Sequence, residues 1–371
     1  MRIAAYAQLH RGMIMPTGVG QHLIHMIMGL QRKPGIDLRI LASHDQWDDQ
    51  GRGRASCPMA GMVARRLPLD RRWLELIWEH LNLPKVDRWS GEVDWVYSPT
   101  EVYIPTRRPR LAVTVHDLHA FEPNLPWSQT AEHRAFRNRW ARMMKRIVAH
   151  ASCILTVSEF TRDRLLDLLQ VASERVAIVG NGVDPLYFED LSETEPGARQ
   201  DQPYIVVVGG LTRRKGGDRV LRVAQEVSRE LPSMRVLVAG HNEPHFQAAA
   251  ATVSNIVLLR YVPSRTLASI LRNAVAAVLL SRYEGFGIPV LEAMASGAPV
   301  ISSRAGAIPE VMGDAGLLLD ADNPGEIVSA IKWLSTDASA RATYRSLGKA
   351  RAQRYRWERC VDRLVEALQN H

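Results

Sequence analysis

Short apolar runs alternate with amphipathic stretches from one end of the chain to the other, and this alternation constrains the fold more than any other feature. The apolar runs are strand-sized and the stretches between them helix-sized, the pattern of strands that pair in parallel through helical crossovers. In the first half the strand candidates are Arg2–Ala7, Leu38–Ala42, Trp95–Ser98, Leu111–Val115, Cys153–Val157 and Val176–Val179. Helices are predicted over Val19–Gln31, Ala131–Ala149 and Thr161–Leu169. Leu23, Ile27 and Leu30 share one face of the first of these. The polar run EDLSETEPGARQDQ, Glu189–Gln202, then breaks the pattern and reads as an exposed linker. Alternation resumes at Tyr204–Val208, with a helix near Asp218–Glu230. Strands are predicted at Arg235–Ala239, Ile256–Leu259, Ala276–Leu280 and Val300–Ser302, and a closing helix at Trp357–Leu368.

A chain of 371 residues exceeds what one core comfortably fills. The fold class is therefore α/β, with two Rossmann-like parallel-sheet domains facing across a cleft. The expected boundaries are 1–188 for the first domain, 189–203 for the linker and 204–356 for the second. The helix 357–371 is expected to pack back on the first domain. Open parallel sheets take ligands beyond the carboxyl ends of their strands.

Charge narrows the partners. Met1 to Pro185 holds 25 Lys and Arg against 19 Asp and Glu, and the remainder 22 against 20, so the net charge of +8 sits mainly in the first half. Phosphorylated small molecules or anionic lipid suit that excess; no nucleic-acid motif accompanies it, so nucleic acid is not an expected partner. Three scattered cysteines, Cys57, Cys153 and Cys360, fit a reducing compartment without disulfides or a zinc site. No apolar run is long enough to span a bilayer, and the N-terminus reads as a first strand rather than a signal peptide. A cytoplasmic location is expected.

The most informative segment is Ala276–Ser303, AAVLLSRYEGFGIPVLEAMASGAPVISS. A strand ending at Ser281 is followed by a glycine loop. Pro289 stands in the first turn of a short helix that stops at Gly297, a suitable left-handed cap. Gly285, Phe286, Gly287 and Ile288 thus precede a helix N-terminus, which offers N–H groups and a positive dipole end to an anion. Glu292 lies in that helix among Val290, Leu291, Ala293, Met294 and Ala295. A buried carboxylate there requires hydrogen-bond donors, from ligand hydroxyls or from its own helix terminus. Glu284 by itself reads as a loop residue.

EGFGIPVLEAMASGAPVI, with Glu284 and Glu292 eight positions apart, closely resembles the signature of the retaining glycosyltransferase family 4, of GT-B fold. The likeness continues in Gly18-Val-Gly20, His116–Asp117, TVSEFTRD (Thr156–Asp163), NGVDP (Asn181–Pro185) and GGLTRRKG (Gly209–Gly216). It implies that Glu284 contacts hydroxyls of the transferred sugar, and Glu292 the donor ribose. It implies also that backbone near Phe286, Gly287, Ile288, Val290 and Leu291 meets sugar and diphosphate, and that Lys215 neutralises the diphosphate. The family's companion arginine falls at Gly210 here, so Arg213 or Arg214 is expected to substitute. Gly18 and Gly20 open a helix where backbone can approach a phosphate. His116 is expected near the transferred sugar, with Asp117 on the acceptor side.

The resemblance further implies hexose transfer from a nucleotide-sugar, GDP-mannose as first choice, with anomeric configuration retained and no metal or cofactor. The expected acceptor is a glycan or a polyprenyl-diphosphate-linked saccharide of bacterial surface polysaccharide synthesis. The alternatives are UDP-glucose or dTDP-rhamnose as donor, an epimerase or phosphorylase of the same fold, and a non-catalytic glycan-binding subunit. Asp320-Ala-Asp322 resembles a metal-binding DxD, but its place before Asn323-Pro324 suits a turn into a helix cap.

Two stretches suggest a peripheral contact with an anionic membrane or a bound acceptor. In Ala131–His150 the residues Phe136, Trp140, Met143, Met144 and Ile147 share a face, with arginines over the rest. Asp70–Pro84 carries Trp73, Ile77 and Trp78 beside arginines and reads as an acceptor-side lid.

Overall fold

The computed structural model describes residues 1–7, 18–43, 47, 50–52, 59–190 and 202–371. Cys57, residues 8–17 ahead of Gly18, and residues 191–201 of the expected linker lie outside these. The described chain divides into two compact units, Met1–Asn181 with Trp357–His371, and Gly182–Arg356.

The first unit contains β1 (Arg2–Tyr6), α1 (Gly18–Arg32), β2 (Asp37–Ala42), β3 (Arg65–Arg66), α2 (Arg71–Leu81), α3 (Asp87–Ser90), β4 (Trp95–Ser98) and β5 (Arg110–Val115). It continues with α4 (Ala131–His150), β6 (Cys153–Thr156), α5 (Glu159–Leu169) and β7 (Val176–Ile178). Its seven strands are ordered β3-β2-β1-β4-β5-β6-β7, all parallel.

The second unit contains β8 (Tyr204–Val208), α6 (Gly217–Glu230), β9 (Arg235–Ala239), α7 (Pro244–Ala250), β10 (Ile256–Arg260) and α8 (Ser264–Asn273). Next come β11 (Ala276–Leu279), α9 (Ile288–Ser296), β12 (Val300–Ser302), α10 (Ile308–Met312), β13 (Leu317–Leu318), α11 (Pro324–Thr336) and α12 (Ala338–Ala352). Its six parallel strands run β10-β9-β8-β11-β12-β13. The strand order reverses between β8 and β11, the position at whose carboxyl ends open parallel sheets take their ligands.

The fully buried runs explain the parallel pairing. Every residue of β8, β11 and β12 is buried, as sheets covered on both faces require. The strand absent from the sequence reading, β3, is a two-residue edge strand set by pairing rather than by apolar pattern, and β13, an edge strand of the other sheet, falls in the apolar run Gly316–Leu319.

The last helix, α13 (Trp357–Asn370), belongs to the first unit and lies against α1. Gly29 permits this approach, since a Cβ there would sit 2.4 Å from Val361 Cγ2. His25 stacks on Trp357 with ring centroids 4.5 Å apart. The boundary after Asn181 is earlier than the expected 188. The 3-10 turn Pro185–Phe188 packs on α8 and α9, and Arg265 and Arg272 hold Glu189 and Asp190 through ion pairs of 3.1 and 2.7 Å. Cys153 and Cys360 are buried thiols, each pushed up to about 12 by burial.

Candidate active site

In the second unit the loop after β8 lies against the end of β11. Gly209 and Gly210 have φ of +104° and +76°, and a Cβ on Gly210 would sit 1.8 Å from the carbonyl oxygen of His241. No side chain fits at this position, which is why the arginine expected there is missing. Gly216, φ +71°, then turns the chain into α6, passing so close to Leu280 O that a Cβ would lie 2.1 Å away.

That turn delivers Lys215 and Arg214 to Glu284. The Lys215 Nζ donates to Glu284 Oε1 at 2.6 Å, and Arg214 Nη1 donates to Oε2 at 3.2 Å and to Tyr283 O at 3.2 Å. The Ser281 hydroxyl also donates to Oε1, at 2.6 Å. Burial pushes the Glu284 carboxyl up, but Lys215 and Arg214 outweigh it and hold the group below its ordinary pKa. Of the two candidate arginines, Arg214 is the one brought to this carboxylate. Arg213 is exposed, and its backbone N–H donates to Glu243 Oε1 at 3.1 Å.

The Glu284 backbone is fixed as firmly as its side chain. Ala307 N–H donates to Glu284 O at 2.9 Å, and a Cβ on Gly306 would meet the same oxygen at 2.1 Å. Ser303 supports Ser281 by donating to its carbonyl at 2.6 Å. Sequence reading missed Ser281, Ser303 and Gly306; only the small residues of SSRAG hinted at a close approach.

Gly287, φ +108°, opens α9, Pro289 occupies its first turn, and Gly297, φ +84°, caps its end by donating to Ala293 O and Met294 O. Phe286 and Ile288 are buried, Phe286 meeting Tyr355 edge-on at 5.9 Å. Val290 and Leu291 have fully buried side chains, and their N–H groups donate to Gly287 O at 2.9 and 3.4 Å. Pro289 has no N–H, so anion-facing donors at this terminus are left to Gly287 and Ile288.

Glu292 is 4% exposed, and its donor comes from a distant stretch of sequence. Tyr187, itself 2% exposed, hydrogen-bonds Glu292 and Ser264; burial first, and the carboxylate beside it next, raise the phenol above its ordinary pKa.

In the first unit, Gly18 and Gly20 begin α1. His116 is 7% exposed, and its Nε2 donates to Pro99 O at 2.9 Å while its backbone N–H donates to Glu101 Oε1 at 2.6 Å. Because a carbonyl only accepts, Nε2 carries a hydrogen, and Nδ1 is the ring nitrogen left to face another partner. His22, which sequence reading passed over, meets this ring edge-on at 4.8 Å. Its Nδ1 lies 2.7 Å from Asn181 Oδ1, and burial above all holds its pKa well below the ordinary value. Asp117 pairs with His119, Oδ1 to Nδ1 at 2.5 Å.

Trp73 and Trp78, paired in the expected lid, separate. Trp73 is 57% exposed, but Trp78 is a core residue, fully buried against Tyr6, with its indole N–H donating to Pro84 O at 3.1 Å. The shared face of α4 likewise turns inward, Met144 and Ile147 buried, with Trp140 and Met143 packed against the same core. The DxD look-alike is a turn in which Asp322 pairs with Arg219 and Arg222, and Asn323 caps α11 by accepting from Glu326 N–H. Among the described residues no cluster of His, Cys, Asp and Glu could hold a metal ion, and no helix is long and apolar enough to cross a membrane.

Two family models match this chain, glycosyltransferase family 4 over residues 16–186 and glycosyl transferases group 1 over residues 188–353. It is 28% identical over 370 residues to O-antigen chain mannosyltransferase B of Escherichia coli, covering 95% of each chain. It is 27% identical over 248 residues to the GDP-mannose:cellobiosyl-diphosphopolyprenol alpha-mannosyltransferase of Xanthomonas oryzae, covering 64% of this chain and 63% of that one. Its fold matches sucrose-phosphate synthase from Thermosynechococcus elongatus with a TM-score of 0.75 at 18% identity, over 98% of this chain and 97% of that one. With two Rossmann-like parallel sheets, the glutamate motif in place and both halves matched, the chain belongs to glycosyltransferase family 4, with the GT-B fold.

Proposed function

We propose that the chain is a retaining hexosyltransferase that draws on a nucleotide-sugar, GDP-mannose as first choice. The acceptor in this reading is a glycan or polyprenyl-diphosphate-linked saccharide of bacterial surface polysaccharide synthesis, met at the cytoplasmic face of the membrane. The observation that carries it is the Lys215–Glu284–Arg214 cluster at the strand-order reversal of the second unit, beside the N-terminus of α9. Two cations and a helix dipole suit a diphosphate, and a carboxylate beside them suits sugar hydroxyls. The names of the Xanthomonas and E. coli relatives support mannose, and the former supports a lipid-linked acceptor.

In the proposed reaction the acceptor oxygen bonds to the anomeric carbon as the bond from that carbon to the diphosphate breaks. The electron pair leaves with the diphosphate, whose oxygen takes the acceptor's proton. Lys215 and Arg214 stabilise the departing charge, so no metal or other cofactor is required in this scheme, and chelator should leave the rate unchanged. Glu284, with both oxygens engaged by cations and a hydroxyl, is a poor nucleophile. Retention is therefore assigned to attack from the face the leaving group departs, rather than to a covalent intermediate. His116 offers an acceptor nitrogen to a sugar hydroxyl.

The test is a thermal-shift screen of GDP, UDP and dTDP, followed by incubation of the matching sugar nucleotide with and without acceptor. A native-state ligand raises the melting temperature, so GDP should give the largest rise. No shift with any nucleotide and no transfer would sink the reading; a changed sugar without acceptor would mean an epimerase. Tyr187→Phe removes one hydrogen bond to Glu292, worth about 1 kcal/mol, so donor affinity should weaken about fivefold with little change in kcat. Unchanged affinity would exclude Tyr187 from donor binding.

A further inference from the structure

Large apolar side chains stand exposed on soluble surfaces singly and scattered, and a contiguous patch marks a contact. In the described part of the first unit the exposed large apolar residues all fall between Val63 and Leu83. They are Val63 at 68%, Trp73 at 57%, Leu76 at 41%, Leu81 at 66% and Leu83 at 55%. Three of them, Trp73, Leu76 and Leu81, belong to α2; Trp73 and Leu76 lie away from the face that buries Leu74 and Trp78 completely, and Leu81 is exposed at the end of the helix. The buried side anchors the helix, so Trp73 and Leu76 are held outward by packing and are not loose.

The charges beside this helix are not balanced. Within α2, Arg71 and Arg72 offset Glu75 and Glu79. Its neighbour α4 carries Arg134, Arg137, Arg139, Arg142, Lys145 and Arg146 against Glu132, a net of +5. The two helices are joined where Arg142 Nε donates to Glu79 Oε1 at 2.6 Å and Arg146 Nε to Glu79 O at 2.9 Å. Arg134, Arg139 and Lys145 remain exposed to solvent.

We infer that α2 and the turn after it form a docking surface for an anionic lipid bilayer. Trp73, Leu76, Leu81 and Leu83 enter the headgroup layer, and the cations of α4 sit over lipid phosphates. An interfacial helix needs both parts, apolar area to insert and cations to hold it against a negative surface. A second copy of the chain is the poorer occupant, because a two-fold contact here would bring one +5 helix against its twin. The inference deepens the lipid-linked acceptor reading and rests on it only for why a membrane is near.

The test uses the full chain with phosphatidylcholine vesicles, with and without phosphatidylglycerol. Wild type should co-sediment with the anionic vesicles, release at high salt and ignore the neutral ones. Trp73→Asp with Leu76→Asp should lower the bound fraction at least about tenfold. Arg139→Glu with Lys145→Glu should lower it too, without touching an apolar residue. Melting temperature and nucleotide binding report that each variant is folded. Equal binding to both vesicle types, or full binding by the aspartate variant, overturns the inference. So does a wild-type dimer that the aspartate variant dissociates, which assigns the face to a second copy. Transfer to a water-soluble acceptor is read separately: transfer without lipid binding removes this inference alone, and lipid binding without transfer removes only the enzymatic reading.

Discussion

Glu284→Gln should reduce sugar transfer by roughly 10²- to 10³-fold while leaving nucleoside diphosphate affinity undiminished or improved. The two halves follow from one geometry. In the free protein Lys215 and Arg214 are engaged by Glu284, at 2.6 and 3.2 Å. On the proposed reading, a neutral amide releases both cations for the diphosphate, but it removes the charge assigned to the sugar. Initial rates and calorimetric titration separate these effects, and near wild-type transfer by the variant would sink the assignment. Removing one partner of a buried ion pair also costs about 3 kcal/mol at neutral pH, because burial already disfavours the Lys215 ammonium and Glu284 is the charge that supports it. Since the Glu284 pKa lies below its ordinary value, this contribution is present above the unfolded value, about 4.3, and fades as pH falls through the folded one. Melting curves of wild type and variant should therefore converge in acid.

Gly210→Ala should be nearly as damaging, although it adds only one methyl group. The residue has a φ of +76°, and the new Cβ would lie 1.8 Å from a backbone oxygen that cannot swing aside. Backbone strain alone is worth about 1–3 kcal/mol, and the clash adds to it. The second unit should lose roughly 6–10 °C in melting temperature, with donor affinity falling as the Lys215 loop shifts. Gly210→Arg, which installs the arginine that the family resemblance implies, should do no better. Unchanged melting in either variant would show that the loop relaxes at no cost.

How much of this was legible in the sequence depended on the range of the interaction. The α9 caps, Pro289 and Gly297, are local chemistry, and they fall where the sequence placed them. The long strands were visible because buried parallel strands are continuous apolar runs. Burial of individual residues was harder. Trp73 and Trp78 differ by five positions on one helix, and only packing against Tyr6 decides which is core. The partners of the glutamates were invisible, because Tyr187 is more than a hundred positions from Glu292 and no local pattern links them. Lys215 was named from family resemblance, but which arginine joins it was settled by the Gly216 turn.

The triangle of Lys215, Arg214 and Glu284 also bears on how the reaction cycle ends. On the proposed reading, an intact donor compensates every member, its diphosphate replacing Glu284 for the cations and its sugar hydroxyls replacing the cations for Glu284. Once the sugar has gone, the spent nucleotide still occupies the cations, but the buried carboxylate has lost its hydroxyls. Glu284 then competes with the product for Lys215, and the internal ion pair re-forms as the nucleotide leaves. A residue placed to hold the sugar thereby limits product inhibition and favours turnover.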